Sequence, residues 1–190
     1  MTSLITSPLI KTYTLEEFWA LPEPQDHSKL ELIAGVLYMT PPSEYTHDYV
    51  VKRLNRLLTL ELVRLNDRGS LLLPRAAIWT GARTYLEPDL FYVSAETENR
   101  LDPERRATAD LVIEVISPGS AIYDRNTKAD TYAALGVKEL WLLDEVDETV
   151  AVRILKGERY GADKVFTKDE VLTSVVIPNL EIKVVSIFTD

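Results

Sequence analysis

The segment Asp110-Leu-Val-Ile-Glu-Val-Ile-Ser117 sets the strongest limit on what this chain can fold into. Three apolar residues precede Glu114 and two follow it. In a strand, side chains alternate between faces, so Val112, Glu114 and Ile116 point one way and Leu111, Ile113 and Val115 the other. Both faces are otherwise apolar, the mark of a central strand covered on both sides. A lone carboxylate there costs on the order of several kcal/mol unless it is protonated, paired or bound to a metal. Asp89 repeats the anomaly, since it stands between Pro88, which fixes a strand entry, and the apolar run Leu-Phe-Tyr-Val.

Two carboxylates on neighbouring central strands suit a hard cation such as Mg²⁺, which is satisfied by one or two carboxylates plus waters. A backbone carbonyl near Val115 is a candidate third ligand. A buried Arg or Lys partner for Glu114 and a turn-capping role for Asp89 explain the same residues equally well. Glu31, flanked by Leu30 and Leu32, points at a polar feature inside or at a salt bridge. Lys128 reads as a solvated lysine by base rate, although Tyr132 lies one turn further on the same helix face and Arg125 one turn earlier. His47, near a helix start, reads first as a cap or surface residue.

The elements around these residues follow from periodicity. Thr14-Leu-Glu-Glu17 is a capping box opening a short helix through Trp19, which stops before Pro22. Residues 29–39 predict two short strands about a turn at Gly35. Val50, Leu54, Leu57, Leu58 and Leu65 recur at helical spacing, giving the longest helix at about 45–66, with Lys52, Arg53 and Arg56 on its other face. Strands are expected at 71–80, 86–93 and 110–117, then a helix over 123–136 with Gly136 as its stop. That helix begins after Ser117-Pro118, so its start faces the C-terminal end of the Glu114 strand, where α/β sites usually lie. The apolar run 137–144, with Trp141 as core, completes a β-α-β crossover and hence a parallel pair. Beyond Thr149, short strands with turns read as the β periphery of the same domain. The expected organisation is one domain over 1–190, with a core at about 12–145 and C-terminal strands at 149–188.

Composition excludes several chemistries. With no cysteine, disulfides, thiol catalysis and cysteine zinc sites are out, and a reducing, cytoplasmic setting fits. Two histidines, His27 and His47, leave little room for a multi-histidine metal site. The N-terminus MTSLITSPLI lacks the features of a signal peptide, and no window approaches a membrane span. The formal net charge of −9 counts against tight, salt-resistant DNA binding, while leaving room for a weak or metal-dependent encounter through a local basic patch.

Taken in order, LELIAG with Glu31, His47 on the next helix, EPD at 87–89, DLVIEVISP, YDRNTKADTY and GVKELWLLD resemble a large bacterial "putative restriction endonuclease" family of the PD-(D/E)XK nuclease superfamily. The resemblance implies an α/β fold: a restriction-endonuclease-like mixed central sheet flanked by helices, with additional peripheral β-strands. It implies Asp89 and Glu114 as ligands of Mg²⁺ or Mn²⁺, with Lys128, Glu31 and His47 completing the candidate catalytic set. Enzymes of this kind hydrolyse DNA phosphodiester bonds with a metal-activated water. The chain departs from the superfamily pattern at Ile116, where a lysine is expected two residues after Glu114; Lys128 on the following helix is the matching position.

The leading expectation is therefore a metal-dependent DNA endonuclease, acting as a homodimer because one such domain cuts one strand. A non-catalytic interaction or assembly protein with a vestigial nuclease site is the alternative, which the acidic charge favours slightly. Hydrolysis of a different phosphodiester, RNA or a nucleotide, ranks third.

Overall fold

The computed structural model describes residues 11–81, 83–102, 105–117 and 121–189. The first ten residues and Pro118, just before the helix expected over 123–136, lie outside them. Helix α1 (Leu15–Trp19) carries the anticipated capping box, with the Thr14 hydroxyl accepting from Glu17 N and the Glu17 carboxylate accepting from Thr14 N. Strands β1 (Lys29–Ile33) and β2 (Val36–Thr40) form a hairpin paired through Ile33↔Val36. Its two-residue turn puts Ala34 at φ 50° and Gly35 at φ 85°, the left-handed geometry that matches strand twist. Helix α2 (Tyr45–Arg64) follows as the longest element.

The chain then changes sheets twice, in places where continuous strands were expected. Residues 71–80 split into β3 (Ser70–Leu72) and β4 (Ile78–Thr80), separated by Pro74 and by Arg75 at φ 75°. Residues 86–93 split likewise into β5 (Thr84–Leu86) and β6 (Leu90–Val93), around Glu87-Pro88-Asp89. A proline lacks the ladder donor and the left-handed residue turns the chain, so each break ends one pairing and begins another. A four-stranded sheet results in the order β2-β1-β5-β4.

The central sheet takes β3 and β6, then β7 (Leu111–Ile116), β8 (Glu139–Asp144), β9 (Thr149–Lys156) and β10 (Arg159–Tyr160), with β11 (Lys164–Phe166) also on β9. It is mixed: β7 and β8 run parallel, while β6–β7 and β8–β9 are antiparallel. The parallel pair is the predicted crossover. Its connection runs through α4 (Ala121–Tyr123), a π-helical turn at Asp124–Lys128 and α5 (Ala129–Ala134), while the one-turn α3 (Ala95–Glu98) lies upstream between β6 and β7. Gly136, at φ 78°, ends α5 with paired bonds from Gly136 N to Ala133 O and from Val137 N to Tyr132 O, a Schellman stop. Strands β12 (Val171–Leu172) and β13 (Ile182–Lys183) and helix α6 (Val185–Phe188) finish the described chain.

The alternation of β7 divides the core as expected. Leu111, Ile113 and Val115 pack with Leu54 and Leu58 of α2 and with Trp141 of β8. Val112 and Ile116 join Ala129 and Tyr132 of α5 on the opposite face. Full burial of each aliphatic side chain contributes roughly 1.5–3 kcal/mol, which fixes the strand's register between two apolar layers. The segment expected as periphery also supplies core: Val150, Val152, Phe166 and Leu172 are buried with the α2 cluster. Among the described residues, no helix is long and apolar enough to cross a membrane.

Candidate active site

The pairing Leu90↔Ile113 and Phe91↔Val112 extends to set Asp89 opposite Glu114 at the mouth of β6 and β7. Asp89 Oδ2 accepts the backbone N–H of Val115 at 2.9 Å, so its carboxylate sits against the peptide that leaves Glu114. The same oxygen meets His47 Nε2 at 3.1 Å. On its other oxygen, Oδ1, the Lys29 ammonium stands 3.9 Å away. Burial raises the Asp89 pKa, but the His47 hydrogen bond and the Lys29 charge outweigh it and hold the group at about 2. His47 behaves in the reciprocal way. Burial lowers it, the Asp89 contact raises it more, and the net shift is upward.

Glu114 is 2% exposed and its Oε1 takes two contacts, the Lys128 ammonium at 2.5 Å and the Tyr132 hydroxyl at 2.5 Å. Lys128 also lies 3.4 Å from Glu31 Oε2 and 3.6 Å from Asp124 Oδ1. Three carboxylates, Glu31, Glu114 and Asp124, thus share one buried lysine, while Asp89 pairs with Lys29 and His47. Burial pushes Glu114 up, the Lys128 charge pulls against it, and Asp89 adds to the rise. For Lys128, burial opposes its charge, yet Glu114 and Glu31 hold it well above the usual lysine range. Glu31 is tied in place by the Glu87 backbone N–H, which donates to its Oε1 at 2.9 Å.

The residues predicted from sequence come together. Glu31, His47, Asp89, Glu114 and Lys128 all line one cleft of about 710 Å³. The base-rate reading of Lys128 as a solvated lysine is overturned, because it is 2% exposed and points at Glu114. The cause is local: the π-turn at Asp124–Lys128 carries Lys128 round to the sheet, and such turns often serve functional sites. His47 is not a surface residue either, since its ring is half-buried against Asp89.

Of the other site residues, Tyr132 was marked by its helical spacing from Lys128, whereas Lys29, Asp124 and Tyr123 were not singled out. Lys29 lies two positions before Glu31 on the same strand face, and Asp124 and Tyr132 flank Lys128 at four-residue spacing. Tyr123 reaches Glu31 Oε2 at 3.4 Å while its ring stacks on Tyr38 at 4.7 Å. The i, i+4 pattern around Lys128 was the available signal for two of them.

The donor set fits an oxygen-loving cation. Among the described residues no group of three or more His, Asp and Glu is placed to hold a metal ion, but Mg²⁺ is ordinarily held by one or two carboxylates with waters and substrate phosphates. Asp89, ionised at ordinary pH, and Glu114, whose charge is opposed chiefly by burial, both face the cleft beside Glu31 and Asp124. An added cation there offsets the surplus of carboxylates.

The site thus joins an Asp–Glu pair at the end of adjacent strands of a mixed α/β sheet to a lysine delivered by the following π-helical turn. The chain belongs to the Uma2 family, described as "putative restriction endonuclease", whose model matches residues 15–185. Among solved structures it is similar to a "putative nuclease" of the DUF820 family from Anabaena variabilis, with a TM-score of 0.74 and 20% identity over 93% of this chain and 97% of that one. At that identity the likeness speaks for the fold. No curated protein matches the chain.

Proposed function

We propose that this protein is a metal-dependent endonuclease that hydrolyses DNA phosphodiester bonds, with Asp89 and Glu114 as ligands of Mg²⁺ or Mn²⁺. The observation that carries the reading is the convergence of Asp89 on the Glu114–Val115 peptide while Lys128 and Tyr132 grip Glu114 Oε1. A bound ion supplies charge stabilisation at the phosphate and a lowered pKa for water. The chain's own residues do the rest. Lys128 neutralises and orients Glu114, His47 orients Asp89, and Lys29, Lys52 and Arg75 bring positive charge to the cleft wall. That local basic set gives a phosphate backbone a favourable approach within a chain of net charge −9.

A non-catalytic assembly protein with a vestigial site is the second reading, favoured by the depth at which Lys128 is held by three carboxylates. Incubation of supercoiled plasmid with Mg²⁺ or Mn²⁺ separates the two. Conversion to nicked or linear DNA by the wild type, lost in Asp89→Asn, is the expected result; intact plasmid under both metals supports the vestigial reading. We propose a homodimer as the cutting unit, for which linear product early in the time course is the sign.

A further inference from the structure

A second hollow of about 340 Å³ opens beside the active-site cleft, and His27, Arg75 and Glu87 line both. The two spaces therefore meet along a shared wall. The far side of the hollow is aromatic and apolar: Phe18 and Trp19 from α1 stand with Tyr85 of β5 and Leu30 of β1. Trp19 is 53% exposed although its edge packs on Trp79, with ring centroids 5.5 Å apart. An indole left this open at the rim of a pocket has a free face for stacking.

The polar end is equally specific. Glu87 is buried, its Oε1 accepting from the Tyr85 hydroxyl at 3.0 Å and its Oε2 lying 3.9 Å from Arg75 Nη1. Its backbone carbonyl holds the Lys29 ammonium at 2.6 Å, which links this wall to Asp89 only two residues on. Two of the three shared residues, His27 at φ 63° and Arg75 at φ 75°, adopt the left-handed backbone that L side chains rarely take. Such departures cluster at binding sites, where surrounding structure holds them.

Resting on the nuclease reading above, we infer that this hollow receives one unpaired base of a single-stranded DNA segment next to the scissile phosphate. The base stacks on Trp19, turns its hydrogen-bonding edge to Glu87, and leaves its phosphate beside Arg75. Aromatic platforms joined to a basic track are the usual means of holding single strands, because every base offers a π-face.

The test is binding without cleavage. Wild-type protein in EDTA is titrated with a fluorescein-labelled single-stranded 12-mer, with the same strand carrying one abasic position at each place in turn, and with the matching duplex. The expected result is tighter binding of the single strand than of the duplex, one abasic position that weakens binding about tenfold, and a similar loss for Trp19→Ala, in the range of a removed base–aromatic stack. Trp19→Phe keeps most of the affinity, and for Trp19→Ala the abasic strand no longer differs from the intact one. That last comparison does not depend on how stable the variant is, provided its melting curve shows it folded. Equal affinity for intact and abasic strands, preference for the duplex, or no binding at all overturns the inference. Plasmid cleavage is scored separately. Cleavage with an indifferent Trp19→Ala leaves the nuclease reading and removes the pocket, whereas Trp19-dependent binding without cleavage under Mg²⁺ or Mn²⁺ keeps the pocket and removes the nuclease reading.

Discussion

At Lys128 the ammonium stands 2.5 Å from Glu114, 3.4 Å from Glu31 and 3.6 Å from Asp124, with almost no exposure to water. Removing it leaves buried carboxylates without a counter-charge, which for a broken buried ion pair costs about 3–5 kcal/mol. Lys128→Met keeps the stem's packing and removes only the charge. Its expected outcome is a lower melting temperature together with a loss of cleavage of about a hundredfold or more, the scale of losing a charge-stabilising or proton-handling group. The two effects separate in the double variant Lys128→Met/Glu31→Gln. Glutamine keeps the acceptor for Glu87 N and discards one negative charge, so stability recovers in part while cleavage does not. If the double variant regains cleavage, Lys128 serves the fold and not the chemistry.

Asp110, at the entry to β7, ties three elements together. It accepts from Ser94 N at 2.8 Å, from the Thr97 hydroxyl at 3.0 Å and from the Lys138 ammonium at 2.6 Å. Burial raises its pKa, but the Lys138 and Ser94 contacts outweigh that and hold it below the usual carboxylate value. A depressed carboxylate stabilises the fold above its unfolded pKa of about 3.9, and that contribution is lost as pH falls through the lower folded value. Melting curves between pH 6 and pH 3 are therefore expected to fall more steeply for wild type than for Asp110→Asn, with the difference growing below about pH 4. Parallel curves would show the cluster to be without effect. Elements such as this one were partly legible in the sequence. Glu114 gave itself away because five apolar neighbours surround it, and Gly136 because a helix stop needs its φ. Glu139 did not, although its carboxylate is fully buried and accepts from Trp141 Nε1, Ser174 Oγ and Val175 N. Ser174 and Val175 lie about 35 positions away, and no local period encodes such a long-range staple. The sheet changes at Pro74 and Pro88 were hidden for the same reason: a proline says that a ladder ends, not which strand the chain joins next.

Taken as a whole molecule, the protein carries a surplus of negative charge, −9, and gathers Glu31, Glu114 and Asp124 around one lysine in the cleft that Asp89 also lines. Folding has to bring these carboxylates together, so their mutual repulsion is charged against the native state alone. A divalent cation that binds the native cluster and not the unfolded chain stabilises by mass action, by about 2.7 kcal/mol at a hundredfold excess over its Kd. For a chain of this size each kcal/mol moves the melting temperature by about 2–4 °C, so saturating Mg²⁺ or Mn²⁺ is expected to raise it by roughly 5–10 °C. Asp89→Asn should abolish most of that gain, since asparagine can still accept the Val115 N–H but presents no charge to the ion. A monovalent salt at matched ionic strength separates site binding from general screening, which acts on both proteins alike. If Mg²⁺, Mn²⁺ and the monovalent salt shift wild type and Asp89→Asn equally, the carboxylate pair holds no ion, and the nuclease reading loses its metal before any DNA is added.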